Sequence, residues 1–190
     1  MAKKLIALCI MLVSFTSLAQ AKYEKEIRLK ETLVPQVALD FVQSLSFSKK
    51  IKWYKEIGIN TSSVEAKTKH LGKRYSVEFS MDGTLEDVEI QIKKEEIPEN
   101  ARLRITEYFT SKFGKYRINK IQIQYSGDPT VLLPFLKREK VSTEINTNYE
   151  IVVSARVNRA YKKFEFLFSE KGDYLKSAEI VLKNTDNIEY

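Results

Sequence analysis

The sequence holds few of the residues that support covalent or metal-centred chemistry. Its 190 residues include one cysteine, Cys9, and one histidine, His70. A single cysteine cannot form an intrachain disulfide, and zinc sites combine several cysteine, histidine or carboxylate ligands. No serine lies in a Gly-x-Ser-x-Gly elbow, which is the nucleophile motif of many hydrolases. We therefore predict no enzyme activity, no metal site and no cofactor.

Long apolar runs are absent beyond the first 21 residues. The one such run, residues 5 to 18, follows Lys3 and Lys4 and precedes Ala19-Gln20-Ala21, an order typical of a cleavable secretory signal peptide. A membrane-spanning helix needs about 20 apolar residues, whereas this run is shorter and is interrupted by hydroxyl side chains. We predict cleavage after Ala21, a periplasmic or secreted location, and no transmembrane segment in the mature chain.

Basic residues are in moderate excess and are mixed with acidic ones. Removal of Lys3 and Lys4 from the 32 basic residues leaves 30 against 25 acidic residues, a net charge of +5. Interspersed charge of this kind is typical of a solvated surface, so we predict no nucleic-acid partner. The mature chain, without cysteine, must be stabilised by burial of apolar surface, and its length allows one sizeable core or two small ones.

The spacing of apolar residues predicts a helix and then four strands in the first half of the mature chain. Apolar residues from Val34 to Leu45 recur at the three-and-four spacing of one helix face, and Pro35 is tolerated in a first turn. After Phe47 the period becomes two, as in half-buried strands. The predicted strands are 51–57, 64–70, 75–79 and 85–92, with glycine-containing turns at residues 71–72 and 81–83.

The same order recurs in the second half. Ile97-Pro98 corresponds to Val34-Pro35, and Phe168 with its Gly172 turn corresponds to Phe79 with its Gly83 turn. We predict an α+β fold of two tandem repeats, each with one helix packed on a four-stranded antiparallel sheet. The predicted divisions are a signal peptide in 1–21, a first repeat in 22–96, and a second repeat in 97–190 with an insertion near 127–147.

These motifs resemble the PepSY-like domains, which are related in fold to beta-lactamase inhibitor protein. The residues that match are Val34-Pro35, Lys50-Ile-Lys-Trp53, the strand from Tyr75 to Phe79, Asp82-Gly83 and Ile97-Pro98. The resemblance covers residues 30 to 183 as two copies, with the insertion as its chief departure. It implies a helix packed on an antiparallel sheet, repeated twice. It does not imply inhibition of a beta-lactamase, because a fold does not determine a function.

Aromatic and charged residues on the strands provide one set of candidate binding residues. We predict that Trp53, on an alternating apolar face, belongs to the core. Tyr54, on the opposite face, is then the better candidate for partner binding. The outward faces of the strands are a further candidate surface, with a merely solvated face as the alternative interpretation. Their charged residues include Lys67, Lys69, Glu78, Arg156 and Glu165.

The insertion is the most distinctive candidate. It brings together Leu132, Leu133 and Phe135, which are more apolar than a surface loop requires, and then Lys137 and Arg138. Two interpretations have equal weight. The segment either binds a partner or forms a short element that covers the sheet, and its exposure would decide between them.

The leading functional hypothesis is an exported, non-enzymatic binding or inhibitor-like module that engages a protein or peptide partner in the cell envelope. The alternative is a carrier of an apolar or acidic small ligand held between helix and sheet, suggested by ten phenylalanines and ten tyrosines. An enzyme ranks third. A deep pocket lined by converging acidic side chains would favour it.

Overall fold

The computed structural model describes residues 20–23, 25–58, 61–143 and 145–181. In chain order the elements are β1 (Gln20–Tyr23), β2 (Lys25–Arg28), α1 (Gln36–Ser44), β3 (Lys52–Ile57), β4 (Ser62–His70), β5 (Lys73–Ser80), β6 (Leu85–Gln91), α2 (Glu99–Lys112), β7 (Tyr116–Ser126), α3 (Pro129–Leu136), β8 (Asn146–Val157), β9 (Ala160–Ser169) and β10 (Tyr174–Val181). The predicted signal peptide lies outside these residues, except for Gln20 and Ala21 in β1. Among the described helices, none has the length and apolar character needed to cross a membrane.

All described strands belong to one sheet, in the order β1-β10-β9-β8-β7-β6-β5-β4-β3-β2. Only the pairing of β1 with β10 is parallel; the other neighbours are antiparallel. The sequence left open whether the two predicted sheets are continuous, and the pairing of β6 with β7, in which Val88 lies opposite Tyr125, makes them one. The helices together with this mainly antiparallel sheet confirm the predicted α+β class.

The first helix begins directly after Pro35 and packs one face on the sheet. Its buried residues are Ala38, Phe41 and Val42, and Phe41 meets Phe79 of β5 edge to face at 5.9 Å between ring centroids. Trp53 of β3 is 4 % exposed in the same core, as predicted.

Aromatic side chains dominate the core beneath α2. Phe109 of this helix is fully buried and contacts Phe166 and Phe168 of β9 edge to face, at 5.0 and 5.3 Å between ring centroids. At the end of the helix the Lys112 ammonium lies 5.1 Å from the centroid of the Phe166 ring. The alternation of Phe164, Phe166 and Phe168 along β9 explains this core, because every second strand residue faces the helix.

The insertion forms α3 and covers the core of the first helix. Asp128 caps α3 by accepting a hydrogen bond from the Thr130 N–H at 2.8 Å. Leu132 is fully buried among the residues of the α1 core, and Phe135 meets Tyr125 of β7 edge to face at 5.0 Å. The apolar character of the segment is therefore explained by packing within the chain.

Two glycine turns lie against the starts of the first two helices. Gly83 has φ +93°, and a Cβ atom there would lie 2.8 Å from the Cβ of Pro35. Gly172 has φ +85°, and a Cβ atom there would lie 2.5 Å from the Ala101 carbonyl oxygen. Both positions need glycine for its backbone freedom and for the close approach of the helix.

Candidate functional site

A groove runs across the face of the sheet opposite the helices. Period-two alternation sends apolar side chains toward the helices and polar ones to this face. The groove has a volume of about 690 Å³ and is lined by seven basic and seven acidic residues together with tyrosine, hydroxyl and amide side chains. A cavity of this size is in the range of binding sites for small ligands or for side chains of a partner.

Side chains of like charge lie opposite one another in the groove. On one rung of the sheet Glu65 of β4 pairs with Glu78 of β5, and Glu78 pairs with Asp87 of β6. Near the ends of these strands Lys69 pairs with Arg74. Like charges directly across a strand pair destabilise a sheet. Their concentration on this face is therefore not explained by stability and favours a role in binding.

Lys67 occupies the centre of the acidic side chains near the edge of the sheet. Its Nζ lies 2.8 Å from a Glu65 oxygen and 2.5 Å from Glu26 Oε1. Burial by itself lowers the pKa of Lys67, but the charges of Glu65 and Glu26 and their hydrogen bonds outweigh burial and raise the pKa above its ordinary value. Ser76 Oγ donates a hydrogen bond to the other oxygen of Glu65, which is 3 % exposed.

The carboxylates of Glu26, Glu56 and Glu65 approach one another closely enough to hold a metal ion, with ligand atoms within 4.8 Å. Lys67 contacts two of the three. Because its ammonium group supplies the positive charge that a metal would bring, the arrangement fits an internal ion pair better than a metal site.

Glu89 of β6 lies at the floor of the groove and is 4 % exposed. Burial raises the pKa of its carboxyl well above the ordinary range, and the charges of Glu150, Glu78 and Asp87 raise it further, while Lys120 opposes them. Lys120 itself lies 3.3 Å from Glu150 Oε1. The pKa of Lys120 is lowered by burial and raised more strongly by Glu150 and Glu89, so that its net change is upward.

Two amide side chains from β7 bind the acidic side chains of β6, and one of them, Gln122, lines the groove. Gln122 Nε2 donates to Glu89 Oε2 at 2.6 Å, and Gln124 Nε2 donates to Asp87 Oδ2 at 3.0 Å. Gln122 is 7 % exposed, and its Oε1 has no hydrogen-bond partner among the described residues. A buried amide oxygen normally accepts at least one hydrogen bond, so this atom is an unused acceptor.

The structure places the predicted site residues in two separate regions. Tyr54 lines the groove, with the Arg28 guanidinium 5.1 Å and Lys67 Nζ 5.4 Å from the centroid of its ring. Lys137 and Arg138 are exposed at the end of α3.

The apolar residues of the insertion are largely withdrawn from solvent. Leu132 is fully buried, and Leu133 and Phe135 are half-buried against the α1 core. This packing favours the interpretation of the insertion as a structural cover, and it leaves Leu132 no surface to offer a partner. The binding role of the exposed Lys137 and Arg138 stays a prediction.

His70 has a local structural role at the end of β4. Its Nδ1 accepts a hydrogen bond from the Ser48 N–H at 3.2 Å, and its ring meets Phe47 and Tyr75 edge to face. These contacts fix the segment between α1 and β3 to the sheet. They account for this histidine without a catalytic function.

Sequence reasoning missed Glu89, Gln122, Lys120 and Glu150. The available signal was their position, since each is a polar residue at an outward-facing site of a central strand. Alternation alone predicts that such residues are solvated. The burial of Glu89, Gln122 and Glu150 depends on the close approach of neighbouring strands and side chains across the sheet, which a single sequence does not reveal.

Solved structures provide the informative comparison. No protein-family model matches the chain, and no curated protein matches it. A DUF2874 family protein from Bacteroides ovatus matches with a TM-score of 0.50 and 10 % identity, over 77 % of this chain and 87 % of that one. At this identity the likeness shows a shared fold alone.

Two further structures are similar to the chain. A BLIP-like protein from Bacteroides fragilis has a TM-score of 0.49 and 17 % identity, over 83 % of this chain and 92 % of that one. A protein from Bacteroides eggerthii, named for an inferred periplasmic location, has a TM-score of 0.49 and 12 % identity, over 77 % of this chain and 88 % of that one.

Proposed function

We propose that this protein is an exported, non-enzymatic binding or inhibitor-like module, and that the groove on the helix-free face of its sheet engages a protein partner of the cell envelope. The observation that carries the proposal is the set of buried charged side chains in the groove, with Glu65, Glu89 and Glu150 each less than 10 % exposed. Burial of charge costs stability unless it is compensated. Specific recognition of a partner would explain why the protein keeps these buried charges despite their cost in stability.

Two further observations support the groove over the insertion. Tyr54, an aromatic residue of the type that dominates binding hot spots, lies half-buried in the groove. The apolar residues of α3, by contrast, contact the core of the same chain.

The proposal includes a PepSY-like origin of the fold as two related copies. The order of elements supports it, because α1 precedes β3 to β6 and α2 precedes β7 to β10. The equivalent packing of Gly83 against Pro35 and of Gly172 against Ala101 also supports it. In this interpretation α3 and its flanking residues are an addition to the second copy.

The small-ligand carrier receives less support. Between α2 and the sheet, Phe109, Phe166 and Phe168 are each at most 1 % exposed and in mutual ring contact. Space filled so closely by the protein's own side chains leaves little room for a ligand there.

Acidic side chains do converge in the groove, and this observation favours an enzyme as a second candidate. However, Glu65 and Glu150 form ion pairs with Lys67 and Lys120. Carboxylates held in this way are less suited to proton transfer than to binding. We expect the unaltered protein to turn over neither glycoside nor peptide substrates. A hydrolase would instead show turnover that Glu150→Gln abolishes.

Site-specific photo-cross-linking tests the binding function. A photoreactive amino acid at position 54 lies in the groove, whereas one at position 107 lies on the exposed side of α2. After irradiation with the envelope fraction of the source organism, we expect a discrete protein adduct from position 54 and none from position 107. Equal labelling from both positions, or none from position 54, would contradict the proposal.

A further inference from the structure

The floor of the groove has an excess of negative groups at one point. The carboxyl group of Glu89 is surrounded by Glu78 from β5, Asp87 from its own strand and Glu150 from β8, and the basic group that acts on it is Lys120 of β7. Lys120 is already 3.3 Å from Glu150 Oε1. An additional cation at this point would meet favourable charge from three strands.

The Gln122 amide gives an independent sign of a bound group. This side chain is 7 % exposed and lines the groove, and its Nε2 is used in the hydrogen bond to Glu89. Its Oε1 has no hydrogen-bond partner among the described residues. An amide oxygen can only accept a hydrogen bond. A group that binds there and reaches this oxygen must therefore donate a hydrogen bond.

We propose that Glu89 and Gln122 form a subsite for the guanidinium group of an arginine side chain presented by the protein partner. The inference rests on the proposed function and specifies what the partner inserts. A guanidinium group carries positive charge and presents five N–H donors in a plane. It can therefore donate to the Glu89 carboxylate and, after a turn of the Gln122 side chain that exposes Oε1 to the groove, to that oxygen as well, whereas an anionic group would be repelled by Glu78, Asp87 and Glu150.

Binding of a cation at this subsite is coupled to proton release. The raised pKa of Glu89 means that its carboxyl holds a proton to higher pH than an ordinary glutamate. A guanidinium ion stabilises the carboxylate form and lowers that pKa. Binding should therefore tighten as the pH rises through the raised pKa and become independent of pH above it.

The test uses argininamide as the probe, with citrullinamide as an uncharged analogue of nearly the same shape. Argininamide is titrated into the full chain, and the side-chain amide signal of Gln122 is followed by NMR. We expect a saturable shift with argininamide and a much weaker one with citrullinamide. Glu89→Gln should weaken binding about tenfold or more, since hydrogen bonds to charged groups are the stronger ones, and should remove its pH dependence.

Two further variants complete the design. Gln122→Met, with a side chain of similar length and no amide, should also weaken argininamide binding. Glu107→Gln, on the exposed side of α2, removes the same charge far from the groove and should bind as the unaltered protein does. Thermal unfolding checks that each variant is folded. We expect Glu89→Gln to fold, because the glutamine side chain resembles the protonated acid in shape.

The proposal is overturned if argininamide and citrullinamide bind equally, or if Glu89→Gln binds argininamide with unchanged affinity and pH dependence. The cross-linking experiment at position 54 has a separate outcome. A partner cross-linked at position 54 and retained equally by Glu89→Gln would support the groove as the binding surface and reject the subsite. Argininamide binding without any adduct would support the subsite and reject the protein partner.

Discussion

At the residue scale, the groove depends on ion pairs whose members are unequally buried. Glu65 is 3 % exposed, whereas the side chain of its partner Lys67 is 35 % exposed. The lysine therefore reaches from the rim to compensate a carboxylate on the floor. Removing the lysine leaves a buried charge without its cation, which is the costly half of such a pair.

The first prediction concerns this pair. Lys67→Met should lower the free energy of unfolding by about 2 kcal/mol, because the desolvated Glu65 carboxylate loses its main compensation. The double variant Glu65→Gln with Lys67→Met should recover most of the loss, since position 65 then carries no charge. Urea unfolding provides the measurement. Lys69→Met, an exposed position on the same strand, is the control and should change stability by less than about 0.5 kcal/mol.

At the element scale, the hairpin between β5 and β6 is organised by one carboxylate. Asp82 Oδ1 accepts hydrogen bonds from Ser80 Oγ at 2.5 Å and from the Thr84 N–H at 2.9 Å. These hydrogen bonds lower the pKa of Asp82 from its ordinary 3.8 to about 2, and the bond from Ser80 has the largest effect. The turn is therefore held by the ionised form of a side chain exposed to solvent.

The second prediction follows from this pKa. Because the folded-state pKa is below the unfolded value, the stabilisation by Asp82 is complete above about pH 4 and is lost as the pH falls toward 2. Carbon NMR of the Asp82 carboxyl should show a midpoint of about 2 in the folded protein. In 8 M urea the midpoint should return to the ordinary value of 3.8. A midpoint near 3.8 in the folded protein would show that these hydrogen bonds do not persist in solution.

The two glycine turns against the helix starts give a third prediction. Gly172→Ala should cost about 2 to 4 kcal/mol, because it combines a left-handed backbone with a Cβ atom 2.5 Å from the Ala101 carbonyl.

Gly72 provides the matched control for this change. It has φ +80°, and nothing lies within 4 Å of its added Cβ, so Gly72→Ala should cost only about 1 kcal/mol. Chemical unfolding of both variants measures the difference. Equal losses at the two positions would mean that the close approach to α2 contributes nothing.

At the scale of the whole molecule, the two halves share both their sheet and part of a core. The pairing of β6 with β7 continues the sheet across the middle, and Leu132 of α3 is buried with Phe41 and Trp53 in the core of α1. A residue from the second half thus stabilises the first. Such sharing makes independent unfolding of the halves unfavourable.

The fourth prediction tests this coupling. Leu132→Ala should lower the free energy of unfolding by about 2 to 5 kcal/mol, because it leaves a cavity at a fully buried site. Trp53, the only tryptophan, reports on the first core, and amide hydrogen exchange in β8 and β9 reports on the second. The Trp53 signal and the loss of exchange protection in β8 and β9 should share one denaturant midpoint. Leu103→Ala, at a position 52 % exposed on α2, should have little effect.

Separate midpoints for the two signals would contradict the coupling. They would show that the halves unfold independently despite the continuous sheet. In that case the effect of Leu132→Ala should be confined to the Trp53 signal.

The sequence by itself determined the class of fold and the order of α1 and β3 to β6, followed by α2 and β7, whereas β1, β2 and the helical form of α3 were not predicted. Local spacing was sufficient, because a period of two or of about 3.6 is set by the backbone of each element. It also predicted the burial of Trp53 and the outward position of Tyr54. Val37 is an exception: it belongs to the apolar spacing from Val34 to Leu45, but it lies in the first turn of α1 and is 65 % exposed.

Only the tertiary structure decided which surface is the candidate site. The apolar insertion was as consistent with a partner site as with a structural cover. In the structure α3 covers the α1 core, and Leu132 is buried in that core. Glu89 and Gln122 looked like ordinary solvated strand residues, yet they are buried on the groove floor. Burial of a polar side chain arises from contacts between strands distant in the sequence, and local periodicity carries no information about them.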